Sequence, residues 1–341
     1  MIGVPRFLAI PGGEPFPAAD HVLEGGSRTG DRHPGQPLID PQWPDGRPGH
    51  RPARRYLSPM THIAFLGTGL LGGALVEAAA RRGDRLTVWN RTVERARALE
   101  PFGVRVAASP ADAVRDATRV HLVLKDDAVV EEVLAALRPS LGRDAIVVDH
   151  TTTQPALTAE RARRLNAEGV RYLHCPVFIG PAAARAGRGT ILAAGPRELF
   201  DAVRSDLARM AQHVEYLGER PDLAAVHKLC GNAFIIGLTA LVADVFAVAA
   251  GADVAPADAL RVLGFFDPAA VLAGRGKHMA AGDFSPSFEL AMARKDVRLM
   301  LETAGSQPLA ALPAIAERMD ALIAAGHGAD DMAVLGRDAV G

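Results

Sequence analysis

Residues 62–92 read HIAFLGTGLLGGALVEAAARRGDRLTVWNRT, and the order of residue types in this stretch decides the fold. Ile63–Leu66 is a short apolar run with strand character, and Gly67, Gly69 and Gly72 follow it as G-x-G-x-x-G. An Ala-rich helical pattern comes next, then a second apolar run, Arg85–Trp89. Strand, glycine turn, helix, strand is the context that makes a weak glycine pattern specific. Gly67 permits the tight turn, Gly69 lets backbone approach a pyrophosphate, and Gly72 lets the helix lie close to the strand. The helix N-terminus offers free N–H groups to phosphates. Gly67, Thr68, Gly69, Leu70, Leu71 and Gly72 are therefore expected to hold a dinucleotide.

The end of the second strand bears on which dinucleotide. A carboxylate about 20 residues past the glycines would bond a ribose 2′-OH and favour NAD. Here the strand ends Asn90-Arg91-Thr92, with no carboxylate before Glu94. Arg91 offers a planar cation that stacks on adenine and pairs with a 2′-phosphate, and Asn90 and Thr92 add neutral hydrogen-bonding groups. NADP(H) is expected in preference to NAD(H).

Composition limits the remaining classes. A chain of 341 residues, 49% hydrophobic, can bury a sizeable core and suggests two domains. A formal net charge of −1 argues against a nucleic-acid partner. Two cysteines, Cys175 and Cys230, make no disulfide framework and are expected as small buried hydrophobes in a reducing cytoplasm. No Cys/His pair has metal-ligand spacing, so no metal is expected. Residues 1–59 hold 11 Pro and 9 Gly without a periodic apolar face, and read as a largely disordered extension. They resemble neither a signal nor a transit peptide, and Met60 is the expected natural start.

Further strand and helix patterns follow: Val104–Val106, Ala111–Ala117, Val120–Leu124, Asp126–Leu137 and Ala145–Asp149, which ends in the polar turn His150–Thr153. Pro155–Gly169 reads as a helix with Arg161, Arg163 and Arg164 outward. Arg171–Leu173, Gly189–Ala194 and Val214–Tyr216 are expected to complete a mixed sheet. From Asp222 the pattern is helical throughout. The fold class is thus α/β: an N-terminal Rossmann-type dinucleotide-binding domain (60–221) plus a C-terminal all-α domain (222–341). Ligands bind beyond the carboxyl ends of such strands, so the glycine turn, Leu124–Asp127 and His150–Thr153 should converge. The run Asn232–Ala250 is nearly all apolar, yet Asp244 interrupts it. An Asp at membrane depth costs roughly 2.5–3.5 kcal/mol, so the run reads as a central helix enclosed by its own chain and a second subunit, not a membrane span. A homodimer or dimer of dimers is expected.

With these segments placed, the chain resembles the β-hydroxyacid dehydrogenase family, which includes 3-hydroxyisobutyrate dehydrogenases and tartronate semialdehyde reductases and is itself 6-phosphogluconate dehydrogenase-like. The family's D-x-S-T is similar to Asp149-His150-Thr151-Thr152, and its D-A-P-V-S-G-G loop to His174-Cys175-Pro176-Val177-Phe178-Ile179-Gly180. Its K-x-x-N-N is similar to Lys228-Leu229-Cys230-Gly231-Asn232, and F-x-L…K-D to Phe288, Leu290, Lys295 and Asp296. The resemblance implies an NAD(P)-dependent oxidoreductase in which Lys228 and Asn232 are catalytic. It also implies that Leu124, Lys125, Thr152 and Lys295 touch the cofactor, and that Thr151, Thr152, Phe178, Ile179 and Gly180 meet the substrate. The residues themselves support the first pair: spaced i, i+4, Lys228 and Asn232 share one helix face. An ammonium can donate its proton to a carbonyl oxygen as hydride arrives.

Departures from the family pattern bear on the substrate. Phe178 and Ile179 stand where the family has Ser-Gly, which removes a hydroxyl and hinders backbone approach, and Asp222 and Ala224 replace two glycines upstream of the lysine. Lys125 replaces a usual Pro. Such a pocket suits a larger or less charged substrate than a small hydroxyacid. His150, His174 and His227 read as structural. Two rival functions share the architecture: an imine reductase, which usually carries Asp, Tyr or Asn at the lysine position, and a non-catalytic cofactor-binding subunit.

Overall fold

The structure is a computed structural model that describes residues 61–340; the expectations for residues 1–59 and for Met60 lie outside the described residues. Its first part alternates strand and helix: β1 (His62–Leu66), α1 (Leu70–Arg81), β2 (Arg85–Trp89), α2 (Val93–Arg97), β3 (Arg105–Val106), α3 (Pro110–Val114), β4 (Arg119–Leu122), α4 (Asp127–Leu137), β5 (Ile146–Asp149), α5 (Pro155–Ala167) and β6 (Arg171–His174). The six strands form one parallel sheet in the order β3-β2-β1-β4-β5-β6, with β1 in register Ile63↔Leu86 on one side and Ile63↔Arg119 on the other. The strand order reverses at β1, and the crevice between the ends of β1 and β4 is where such sheets take ligands. β1, β4 and β5 are apolar because both sheet faces are covered by helices, and their side chains feed two separate hydrophobic clusters.

The strands after β6 correct one expectation. β7 (Val177–Phe178), β8 (Thr190–Ala193) and β9 (His213–Tyr216), with α6 (Pro181–Arg185) and α7 (Arg197–Ala208) between them, form a second three-stranded sheet instead of extending the first. β7 is antiparallel to β8, and β9 parallel to it. The break falls at Cys175-Pro176, where proline has no amide to continue a ladder; its carbonyl instead accepts from Leu192.

A second correction concerns Arg161, which is buried although Arg163 and Arg164 are exposed. Its guanidinium meets Glu131 and Asp127 of α4, both at 2.7 Å. The facing helix presents those two carboxylates at i and i+4, and paired charge is what makes the burial tolerable.

From Leu223 the chain is helical: α8 (Leu223–Gly251), α9 (Pro256–Ala259), α10 (Pro268–Ala280), α11 (Leu290–Ala304), α12 (Leu312–Leu322) and α13 (Arg337–Val340). α8 has 29 residues and is long and apolar enough to cross a membrane by length and composition. Both its ends are built into the fold. Ala224 packs with Leu192 and Ala194 of the second sheet, and Gly251 crosses α11 so closely that an added Cβ would lie 1.9 Å from the Thr303 carbonyl oxygen. Its own chain encloses the ends and leaves the middle uncovered: Phe234, Ile235, Ile236 and Leu238 are all exposed. The helices that follow fold onto the far end of α8 and leave this stretch bare.

Candidate active site

The glycine turn is built by contacts that admit no side chain. Gly67 has φ +99°, and a Cβ there would lie 2.1 Å from the Val123 carbonyl oxygen. A Cβ on Gly72 would lie 2.0 Å from the Gly67 oxygen. At Gly69, by contrast, an added Cβ meets nothing within 4 Å, so this is the open side of the cradle. Gly69 caps α1 without a side-chain bond, leaving the first-turn amides free to meet an anion. The Thr68 amide donates to Asn90 Oδ1 and the Asn90 amide group to the Thr92 carbonyl, each at 2.9 Å, which ties the turn to the end of β2. Asn90 is thus a brace as well as a lining residue. The Thr68 hydroxyl is buried without a partner. An open cradle of free amides with an orphaned hydroxyl fits a bound dinucleotide.

Three recesses border the turn, and two of them hold most of the expected site residues. The first, of about 320 Å³, lies between the glycines and the ends of β2 and β4, with Trp89, Arg91, Thr92, Leu124 and Lys125 in its wall. Arg91 pairs with Glu132, both side chains more than half exposed, so solvent leaves the pair weak. Arg95 lines this recess too, a third cation beside Arg91 and Lys125 and one absent from the sequence reading. Arg95 lies in the first turn of α2, directly after the strand end, and that position was its signal.

The second recess, about 360 Å³, brings together Leu70–Gly72, Leu124, Lys125, His150–Thr152, Val177, Ile179 and Lys228. The three segments expected to converge do so. Thr151 is buried; its amide donates to Asp149 Oδ1 (2.9 Å), and its hydroxyl accepts from the Leu124 amide (3.1 Å), which joins the ends of β4 and β5. Thr152 is exposed. Beneath them, Tyr172 donates to the other oxygen of the buried Asp149 at 2.7 Å. His150 donates from Nδ1 to the Cys175 carbonyl (2.7 Å) and accepts at Nε2 from His121 (2.9 Å), whose ring stacks on Phe65. Burial lowers the pKa of both rings, so this relay of neutral imidazoles supports the turn. His174 likewise faces the Thr151 carbonyl and Thr153, while His227 is exposed.

Lys228 enters from the second turn of α8. Its Nζ donates to Asn232 Oδ1 at 2.9 Å and sits 4.0 Å from the centre of the Phe178 ring. Burial lowers its pKa from the ordinary lysine value. Gly180 caps the short helix α6 and is exposed. Lys125 is 85% exposed beside Asp126. Lys295, on α11, is ion-paired to its neighbour Asp296 at 2.9 Å and is outside both recesses. Among the described residues, Lys228 alone represents the helical segment in these walls. Cys175 is buried as expected, but Cys230 is exposed, because α8 turns that face outward.

Residues 62–218 match the family described as the NAD binding domain of 6-phosphogluconate dehydrogenase. Residues 223–337 match the NAD-binding domain of NADP-dependent 3-hydroxyisobutyrate dehydrogenase. The chain is 28% identical over 290 residues to a 3-sulfolactaldehyde reductase of Escherichia coli, covering 81% of this chain and 95% of that protein. Among solved structures, a reductive aminase from Aspergillus terreus in complex with NADPH and ethyl levulinate is similar at 25% identity and TM-score 0.74, covering 81% of this chain and 98% of the other. An imine reductase from a Pseudomonas species shares the fold at 24% identity and TM-score 0.73, with the same coverage. The chain thus belongs to the β-hydroxyacid dehydrogenase family and is an NAD(P)-dependent oxidoreductase of the 3-hydroxyisobutyrate dehydrogenase type acting on hydroxyl or carbonyl groups.

Proposed function

We propose that the protein is an NADPH-preferring carbonyl reductase, running also as an alcohol dehydrogenase, in which Lys228 is the acid/base and Asn232 orients it. The observation that carries this is the Lys228 Nζ, held by Asn232 at 2.9 Å and aimed into the recess that the glycine turn and Thr151–Thr152 enclose. Bound in the cradle, the reduced nicotinamide supplies hydride to the carbonyl carbon. Lys228 delivers its proton to the carbonyl oxygen as negative charge develops there, and Asn232 fixes the ammonium's direction through its carbonyl oxygen. In oxidation the neutral amine takes the hydroxyl proton. Partial burial brings the amine nearer its working range. Arg91 and Arg95, both lining the recess at the end of β2, support a 2′-phosphate and hence NADPH over NADH.

A second reading, reduction of C=N bonds, is supported by the likeness to the reductive aminase and by the apolar strand beside the amine. The exposed middle of α8 supports a homodimer formed through the helical segment. The deciding experiment is NADPH and NADH oxidation by the full chain with aldehydes, ketones and cyclic imines, beside Lys228→Ala. Carbonyl turnover that falls by roughly 10²-fold or more in the variant, with NADPH binding intact, is expected. Undiminished turnover in Lys228→Ala would remove the assignment, and turnover of imines alone would favour the second reading.

A further inference from the structure

We propose that Phe178 is a positioning residue for the proton donor: the face of its ring, brought close by Gly231, holds the Lys228 ammonium beside Asn232 and keeps it charged inside the site. The proposal rests on the reading of Lys228 as acid/base.

A buried ammonium is commonly paired with a carboxylate. Among the described residues none bonds Lys228, and its neighbours are neutral: Asn232 Oδ1 accepts at 2.9 Å, and the centre of the Phe178 ring is 4.0 Å from Nζ. The negative face of an aromatic ring attracts a cation, more strongly where water is scarce. Neutral partners steady the charge without taking the proton, so it stays transferable to a carbonyl oxygen. Of the three N–H directions, one meets the amide oxygen and one the ring, and the third is left for the recess that Lys228 lines. The ring is fixed in place. It packs against Leu192, Ala194 and Ala224, and β7 pairs Phe178 with Thr190 of β8. On α8, a Cβ at Gly231 would lie 2.3 Å from Phe178 Cζ, so the absence of a side chain there is what lets the ring lie against the helix.

The charged groups around the amine do not obscure the ring. β7 and β8 carry none. At the ends of β4 and β5, Lys125 is 85% exposed beside Asp126, and His150 is a buried neutral ring. Arg185 of α6 pairs with Glu77, and Arg161 of α5 with Asp127 and Glu131. At the start of α8, Asp222 pairs with Arg220, and His227 is bonded to the Leu223 carbonyl. None of these groups shifts the Lys228 amine; burial lowers it. The ring face works against that lowering, because it favours the charged form.

The test measures the amine first and the reaction second. Trace labelling of the full chain with acetic anhydride across pH, read at Lys228 by peptide mass spectrometry, gives the pH at which this amine loses its proton. Phe178→Leu keeps an apolar side chain and removes the ring face, and is expected to lower that midpoint by about 0.5–1 pH unit. Replacing Phe178 by 3,5-difluorophenylalanine keeps the shape of the ring and weakens its negative face, and should lower the midpoint by at least about 0.3 pH unit. The falling limb of butanal and benzaldehyde reduction by NADPH should move down with the midpoint in both. Loss of packing alone would slow the reaction at every pH and leave both midpoints in place. Should Phe178→Leu fail to fold, the fluorinated ring decides alone. A Lys228 midpoint that stays or rises in either protein overturns the proposal and leaves Lys228 in its role. A midpoint that moves while the reduction limb stays, or no turnover with NADPH bound, overturns the reading of Lys228 as proton donor and this proposal with it.

Discussion

Three glycines of one motif carry different physical burdens. Gly67 and Gly72 have no room for a methyl group, since their added Cβ atoms would meet backbone oxygens at 2.1 and 2.0 Å, whereas Gly69 faces open space. Gly67→Ala and Gly72→Ala are expected to lower thermal stability by roughly 2 kcal/mol or more. Gly69→Ala should melt with the wild type and raise the NADPH dissociation constant at least about tenfold, because its methyl group stands where phosphate must approach. Calorimetry and fluorescence titration separate the two effects. Lys228 makes a second prediction at this scale. Burial lowers its pKa, and reduction needs the protonated amine, so the reduction rate should fall as pH rises through a value below that of ordinary lysine. Oxidation should show the opposite limb, and a profile set at the free lysine value would contradict the buried position. The motif glycines were legible in sequence because their constraints act within a few residues. Arg161 was not, because the carboxylates that bury it stand 30 and 34 residues away on α4.

Among elements, α8 shows how a single residue changes what an apolar run is for. Asp244 counted against a membrane span; the structure shows its work. The buried carboxylate accepts from the amides of Ala310 (2.5 Å), Ala311 (2.9 Å) and Leu312 (2.7 Å), and so caps α12 from a neighbouring helix. Burial opposes the charge, but the three amides outweigh it and hold the carboxyl below the usual aspartate range. A depressed pKa contributes stability that is complete above the unfolded-state value, about 4, and is lost as pH falls through the lower folded value. Asp244→Asn is therefore expected to cost roughly 2 kcal/mol at pH 7 and clearly less near pH 3 in thermal melts followed by circular dichroism. An equal cost at both pH values would mean that the charge is not what holds α12. Asp331 closes the other end of the bundle in the same way, receiving the amides of Ser287, Phe288 and Ala333 and an ion pair from Arg275, and its carboxyl too is held well below the ordinary range despite burial.

For the molecule as a whole, the exposed middle of α8 sets the expectation. Phe234, Ile235, Ile236, Leu238, Leu241, Val242 and Val245 are each more than a third exposed along one helix, more apolar surface than a lone soluble chain commonly shows. A second copy of the chain is the partner we propose for it. Light scattering should give at least twice the chain mass, and Ile236→Glu, at a residue 68% exposed, should shift the protein toward monomer. A wild-type monomer at micromolar concentration would contradict this.

What the sequence by itself determined follows from local rules. The glycine turn, the strand and helix order through β6, and the i, i+4 pairing of Lys228 with Asn232 all depend on periodicity, steric limits and spacing within a few turns of chain. Tertiary structure decided the rest, because it turns on which distant groups meet. It split the later strands into a second sheet at Pro176 and laid Phe178 over Lys228. It brought Arg95 to the recess and kept Lys295 out of it. It also left the middle of α8 bare. Periodicity shows that a helix must be covered; only packing shows which parts its own chain covers.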